Sequence, residues 1–205
     1  MRFLLLSSCL LIMAGCSSAY RHLKATPGDA ANLQKFKPAF SVALYKAAVD
    51  VAGNHLSGLL MIKKMSDGSM RLVFSNEIGF KFFDFEFSHN GGFRVFSIIK
   101  QMDKKAVINT LRKDFGLLMM ERIDGKDVLI RKDGTLVYYT FSAETGFDHY
   151  ITNIAGDELE RLERSSKRKP VMQAIMKNYV AGIPDTIGIT HNNFNFTIGL
   201  KRLVR

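Results

Sequence analysis

The groups able to do acid–base, nucleophilic or metal chemistry are few in this sequence, and their spacing does not suit the work. Five histidines, His22, His55, His89, His149 and His191, are scattered along the chain. No two stand at the spacing of paired metal ligands, and the mature chain has no free thiol to complete a site. Asp148-His149 would supply two members of a triad, but no serine sits in a nucleophile elbow. An exposed histidine at a strand end accounts for the pair. Asp84 and Glu86 fall on one strand face and form a candidate carboxylate pair; a solvated outer face accounts for them. No phosphate loop or dinucleotide fingerprint occurs. The run Arg161, Arg164, Lys167, Arg168 and Lys169 has the charge to meet nucleic acid or lipid headgroups. The expectation is no catalytic residue, no metal site and no cofactor.

The one residue marked for covalent chemistry lies at the N-terminus. Residues 1–16 read MRFLLLSSCLLIMAGC. Arg2 precedes an apolar run, Phe3 to Met13, too short for an ordinary transmembrane helix and suited to a signal peptide. Met13-Ala14-Gly15-Cys16 resembles the bacterial lipobox, in which the cysteine receives lipid and the leader, here 1–15, is removed. The chain has two cysteines. Cys9 leaves with the leader, so only Cys16 remains, and no intramolecular disulfide can form. A covalent lipid on Cys16 is expected. The absence of Asp at position 17 favours the outer membrane, by resemblance to Gram-negative sorting rules. The absence of an acidic cluster beyond it favours the periplasmic face. Lipid or envelope thereby becomes the expected partner of a chain with net charge +10, rather than nucleic acid.

The remainder must supply the fold. The chain has 205 residues, 47% of them hydrophobic, enough for one domain with a real core. Residues 16–38 read as the lipidated cysteine and a tether, reaching roughly 70 Å if extended at about 3.3 Å per residue. A short helix is allowed near Asp29–Phe36. Residues 39–205 then form a single domain. Its centre is Ser69 to Ser88, two strands of period two joined by the turn Ser75-Asn76-Glu77-Ile78-Gly79. Ile78 is out of place at a turn tip; it either folds back onto the core or is displayed to something apolar. Upstream, Ser66-Asp67-Gly68 predicts a three-residue hairpin loop that sets Ile62 opposite Leu72 and Leu60 opposite Phe74. Asp103 predicts the cap of a helix running to about Asp114, with Val107, Ile108, Leu111 and Phe115 on one face and Gly116 ending or weakening it. Residues 158–164 suit either strand or helix. The total is mainly β: ten or eleven antiparallel strands in a strongly curved sheet or open barrel, with a short helical lid.

This order of features resembles the outer-membrane lipoprotein receptor family LolB and its LolA-like relatives. The lipobox, the stretch MRLVFSNEIG and the C-terminal GIPDTIGITHNNFNFTIGLKRL carry the resemblance. Arg71, Asn76, Glu77, Ile78 and Gly79 align with the family's middle stretch, and Glu77 stands where proline is frequent. Pro184, Ile198, Leu200 and Leu203 match at the C-terminus. The resemblance implies an open β-barrel with a helical lid. Its apolar lumen receives acyl chains of lipidated proteins from a LolA-like periplasmic carrier, and the loop of Glu77, Ile78 and Gly79 helps insert them into outer-membrane lipid. Leu60, Ile62, Leu72 and Phe74 are the expected lumen wall, and a monomer is expected. A structural or interaction lipoprotein is the competing account. The first predicts a cavity beside Leu60 and Phe74; the second predicts solid packing there.

Overall fold

The computed structural model describes residues 18–51, 53–125 and 127–203. Cys16 and the expected leader lie outside them. The strands are β1 (Lys24–Ala25), β2 (Val42–Val51), β3 (Asn54–Lys64), β4 (Met70–Ser75), β5 (Lys81–Phe87) and β6 (Phe93–Ile98). Helix α1 (Lys105–Leu118) follows, then β7 (Val128–Lys132), β8 (Leu136–Ser142), β9 (Phe147–Asn153), β10 (Leu159–Ser165), β11 (Pro170–Val180), β12 (Ile183–His191) and β13 (Phe196–Arg202). All pair antiparallel in one sheet of order β1-β7-β8-β9-β10-β11-β12-β13-β2-β3-β4-β5-β6. Two meanders, one on each side of α1 in sequence, are fused where β13 pairs with β2. The sheet is mainly β, open and strongly curved. Phe83 of β5 and Tyr150 of β9, far apart in that order, share one core cluster, which a flat sheet would forbid. Bulges at Phe74/Ser75, Asp84/Phe85 and Arg164/Ser165 help bend it.

The β3–β4 hairpin has the register that its sequence predicts. Ile62 faces Leu72 and Leu60 faces Phe74, with Gly68 in the left-handed region at φ 82°. Residues 159–165 are strand, because Leu162 and Arg164 point inward while Glu163 faces the other side. Thirteen strands exceed the expected ten or eleven; β1, only two residues long, has no periodicity to reveal it.

Three expectations are corrected. The segment read as a tether is docked from Ala19 onward. The Ala19 N–H donates to the Arg168 carbonyl at 2.7 Å, and the Tyr20 ring stacks on His149 with centroids 4.7 Å apart. The Tyr20 hydroxyl donates to Glu163, β1 extends the β7 edge, and Leu33 and Phe36 of a 3-10 helix (Ala30–Phe36) are buried in the core. Apolar and aromatic side chains outweigh the Pro-Gly signal of this segment. Second, Asp103 does not cap α1. Lys104 holds the cap position without a side-chain bond, because the preceding turn is set by burying Met102. Third, the helix does not end near Asp114 but runs to Leu118. Buried Leu117 and Leu118 carry it on, and the chain turns away at Met120, φ 53°.

Candidate functional site

Two features stand out, an apolar concave face and a turn at its edge. On the concave face Leu60, Ile62, Leu72 and Phe74 lie together, fully buried. Strand parity groups them, and the structure assigns that group to the inside. The space in front of them is occupied: Met102, Leu111 and Phe115 pack against Leu60 and Phe74, leaving a cavity of about 10 Å³. That is room for one water at most, so the lumen expected beside Leu60 and Phe74 is filled by α1, the packing that the competing structural account predicts. The helix filling the interior is fastened by charge. Arg164 donates to Asp114 at 3.0 Å and to Asp148 at 3.1 Å, and His191 lies 2.8 Å from the other Asp114 oxygen. Arg122 completes the network on Asp148 at 2.9 Å. The hydroxyl of Tyr150, buried in the same interior, has no partner among the described residues.

A larger space opens beyond the C-terminal end of α1. A groove of about 1050 Å³ runs between Phe40, Met65, Met70, Phe87 and Met119. The β3–β4 and β5–β6 turns form its border, so it lies at the rim opposite the β4–β5 turn. Lys37, Glu121 and Asp124 supply polar groups along it.

The β4–β5 turn carries Ile78 outward, 90% exposed, with Phe80 beside it at 58%. This display is built in. The Phe80 N–H donates to the Asn76 side-chain oxygen at 2.8 Å, and the Asn76 N–H to the Phe80 carbonyl at 2.9 Å. Gly79 takes φ 88°, a conformation that side chains resist. Glu77 is also exposed. Below the turn, Asp84 is buried rather than solvated. Arg71 donates to it at 2.5 and 3.0 Å and Lys81 at 2.9 Å, with the Arg71 guanidinium 3.6 Å from the Phe96 ring centre. Burial pushes the Asp84 carboxyl up, but Arg71 and Lys81 outweigh it and hold it below the usual range. Sequence alternation places Asp84 on the outer face; what it does not reveal is the cationic and aromatic roof there. Rings then link the turn to the interior, Phe80 to Phe82 at 6.0 Å, Phe82 to Phe74 at 4.7 Å and Phe83 to Phe115 at 6.1 Å.

Among the described residues the other candidate groups do not come together in one reactive centre. Asp148 and His149 point to opposite faces of β9. His149 is not an exposed strand-end residue: it is buried under Tyr20, with Thr140 at 2.9 Å and Ser165 at 2.8 Å. Burial, with Arg131 and Arg161 nearby, pushes its pKa down to about 4. Its partner Ser165 is sealed from solvent, and the far ring nitrogen is held by the Thr140 hydroxyl rather than by a carboxylate among the described residues. The basic run divides: Arg164 is in the interior, Arg161 is on Glu163, and Lys167, Arg168 and Lys169 are exposed. Among the described residues no group of three or more His, Cys, Asp or Glu is placed to hold a metal. No helix among them is long and apolar enough to cross a membrane.

Fold and site together define a mainly β, open-sheet protein with an apolar interior and an apolar-tipped turn. No protein-family model matches the chain, and no curated protein matches it. Among solved structures it is similar to a DUF1329 family protein from Desulfovibrio piger ATCC 29098. That likeness has 11% identity, a TM-score of 0.48, and coverage of 85% of this chain and 88% of the other. It is also similar to a domain provisionally assigned as an outer membrane lipoprotein-sorting protein, from Vibrio parahaemolyticus. Here identity is 9%, the TM-score 0.45, and coverage 86% and 90%.

Proposed function

We propose that this chain is a non-enzymatic lipoprotein, anchored through Cys16 on the periplasmic face of the outer membrane. It takes up acyl chains of other lipidated proteins and helps insert them into that membrane. The observation that carries this reading is Ile78, 90% exposed on a turn whose geometry holds it there. Exposing such a side chain forgoes roughly 1.5–3 kcal/mol of burial, which contact with lipid restores. That suffices for transient contact beside an anchor gaining about 0.8 kcal/mol per buried methylene. The groove of about 1050 Å³ is the entry, just above the roughly 300–1,000 Å³ usual for ligand pockets. An acyl chain passing it replaces Leu111 and Phe115 against Leu60, Ile62, Leu72 and Phe74. Cargo arrives from a LolA-like periplasmic carrier, and a monomer is sufficient.

A second reading, an interaction lipoprotein with a filled core, draws on the packing of α1 against Leu60 and Phe74. One experiment separates the two. The chain from Ser17 onward is tested for an acylated peptide by native mass spectrometry and by displacement of a fluorescent fatty acid, beside Phe74→Glu. Saturable binding that the variant loses is expected. A folded protein without binding would leave the filled-core account.

A further inference from the structure

The rim that carries Ile78 also carries the only docked start of the N-terminal segment among the described residues. Antiparallel register fixes which turns share that rim. Val51 faces Phe196, Thr197 faces Thr190, Met172 faces His191, and Pro170 faces Ser165. The turn 166–169 and the turn 192–195 therefore open on the same side of the sheet as residues 76–80. Along this rim Ile78, Phe80 and Phe194 are exposed apolar side chains. The 166–169 turn presents Lys167, Arg168 and Lys169, all exposed, and no ion pair among the described residues engages them. The turn itself is fixed. Ser166 accepts from the backbone N–H groups of Arg168 at 3.2 Å and Lys169 at 3.1 Å.

The chain enters the fold at this same turn, where the Ala19 N–H is bonded to the Arg168 carbonyl. Arg21 follows, also exposed. Cys16 is three residues from Ala19, a span of at most about 11 Å. A lipid on Cys16 therefore enters the bilayer within about 11 Å of this turn, where a loose tether would have left the domain free to tumble.

We propose that this rim is a bilayer-docking face. The 166–169 turn with Arg21 takes the phosphate groups of anionic phospholipids, while Ile78, Phe80 and Phe194 enter the headgroup boundary. The basic turn beside the anchor exit, with exposed apolar residues on the same rim, matches such a surface in charge and polarity. Glu77 and Asp50 lie on the rim as well and oppose the attraction. The proposal rests on the lipidated Cys16 of the reading above, but not on acyl uptake.

The test is sedimentation of the chain from Ser17 onward, which retains every described residue, with two kinds of vesicle. One is phosphatidylethanolamine with phosphatidylglycerol, the other phosphatidylcholine alone. Binding to the anionic vesicles is expected, weakened about tenfold or more by Lys167→Ser with Lys169→Ser. The charge-matched pair Lys46→Ser with Lys177→Ser, on the outer wall away from the rim, is expected to leave at least half of the affinity. Ile78→Ser is expected to weaken what remains. An equal loss in both charge pairs would reduce the effect to net charge and overturn the proposal. So would binding to duplex DNA in place of vesicles, or no vesicle binding at all. A chain that binds vesicles but no fatty acid would sink the carrier reading and leave this face standing.

Discussion

Strand β4 ends in two turns that are built alike and tipped differently. At its start Asp67 accepts from the Ser69 N–H at 2.9 Å, and Gly68 takes φ 82°. At its end Asn76 accepts from the Phe80 N–H at 2.8 Å, and Gly79 takes φ 88°. Both hairpins use one acceptor side chain and one left-handed glycine. The first is tipped by Ser66 and Asp67, the second by Glu77 and Ile78. Since a polar tip closes the first turn, closing the second does not require an isoleucine. Under the proposed function the exposed Ile78 serves what the turn meets, and the rest of the turn serves the fold.

The largest effect is expected at the strand the two turns share. Phe74 is buried between them, and Phe74→Ala is expected to lower stability by about 3–5 kcal/mol. A urea unfolding free energy lowered by less than a third of that would mean the interior is loosely filled. Gly68→Ala and Gly79→Ala come next, each expected to be destabilising by about 1–2 kcal/mol. No atom lies within 4 Å of an added Cβ at Gly79, and at Gly68 the nearest atoms, of His89, are at an ordinary 3.8 Å, so both losses are backbone strain. A harmless Gly79→Ala would mean that the turn does not hold Ile78 in place.

The two turns should also separate by pH. The Ser69 side chain and backbone N–H hold the Asp67 carboxyl below its usual range. Its contribution is present above about pH 3.8 and is lost as pH falls through the lower folded value. Asn76 does not titrate. Hydrogen exchange at the Ser69 amide, corrected for intrinsic rate, is expected to quicken between pH 5 and 2.5 by more than at Phe80. The smallest effect is Ile78→Ser, expected to change stability by less than about 0.5 kcal/mol. A larger loss would assign the residue to the fold.

The β3–β4 register was legible because alternation and turn chemistry agreed over contiguous residues. The turn displaying Ile78 was legible for the same reason, although its sequence left burial and display open. Contacts between distant segments were not. Tyr20 meets Glu163 across 143 positions, and no local pattern points from one to the other. Asp84 looked like a solvated carboxylate because its partner Arg71 is on the neighbouring strand and the Phe96 roof is on the next. The extent of α1 is not legible in the sequence, because Gly116 weakens a helix that burial of Leu117 and Leu118 sustains. Filling of the interior by α1 depends on the path of the 99–104 turn, which amphipathic spacing does not specify.

The most direct measurement is transfer. The protein is loaded with a fluorescent acylated peptide and mixed with phosphatidylethanolamine–phosphatidylglycerol vesicles, and release into the bilayer is timed for the native chain and for Ile78→Ser. The account predicts equal loading of both proteins and transfer slowed about tenfold or more in the variant, in proportion to the lost burial of about 1.5–3 kcal/mol. Equal transfer rates, or a native chain that takes up no peptide, would contradict it.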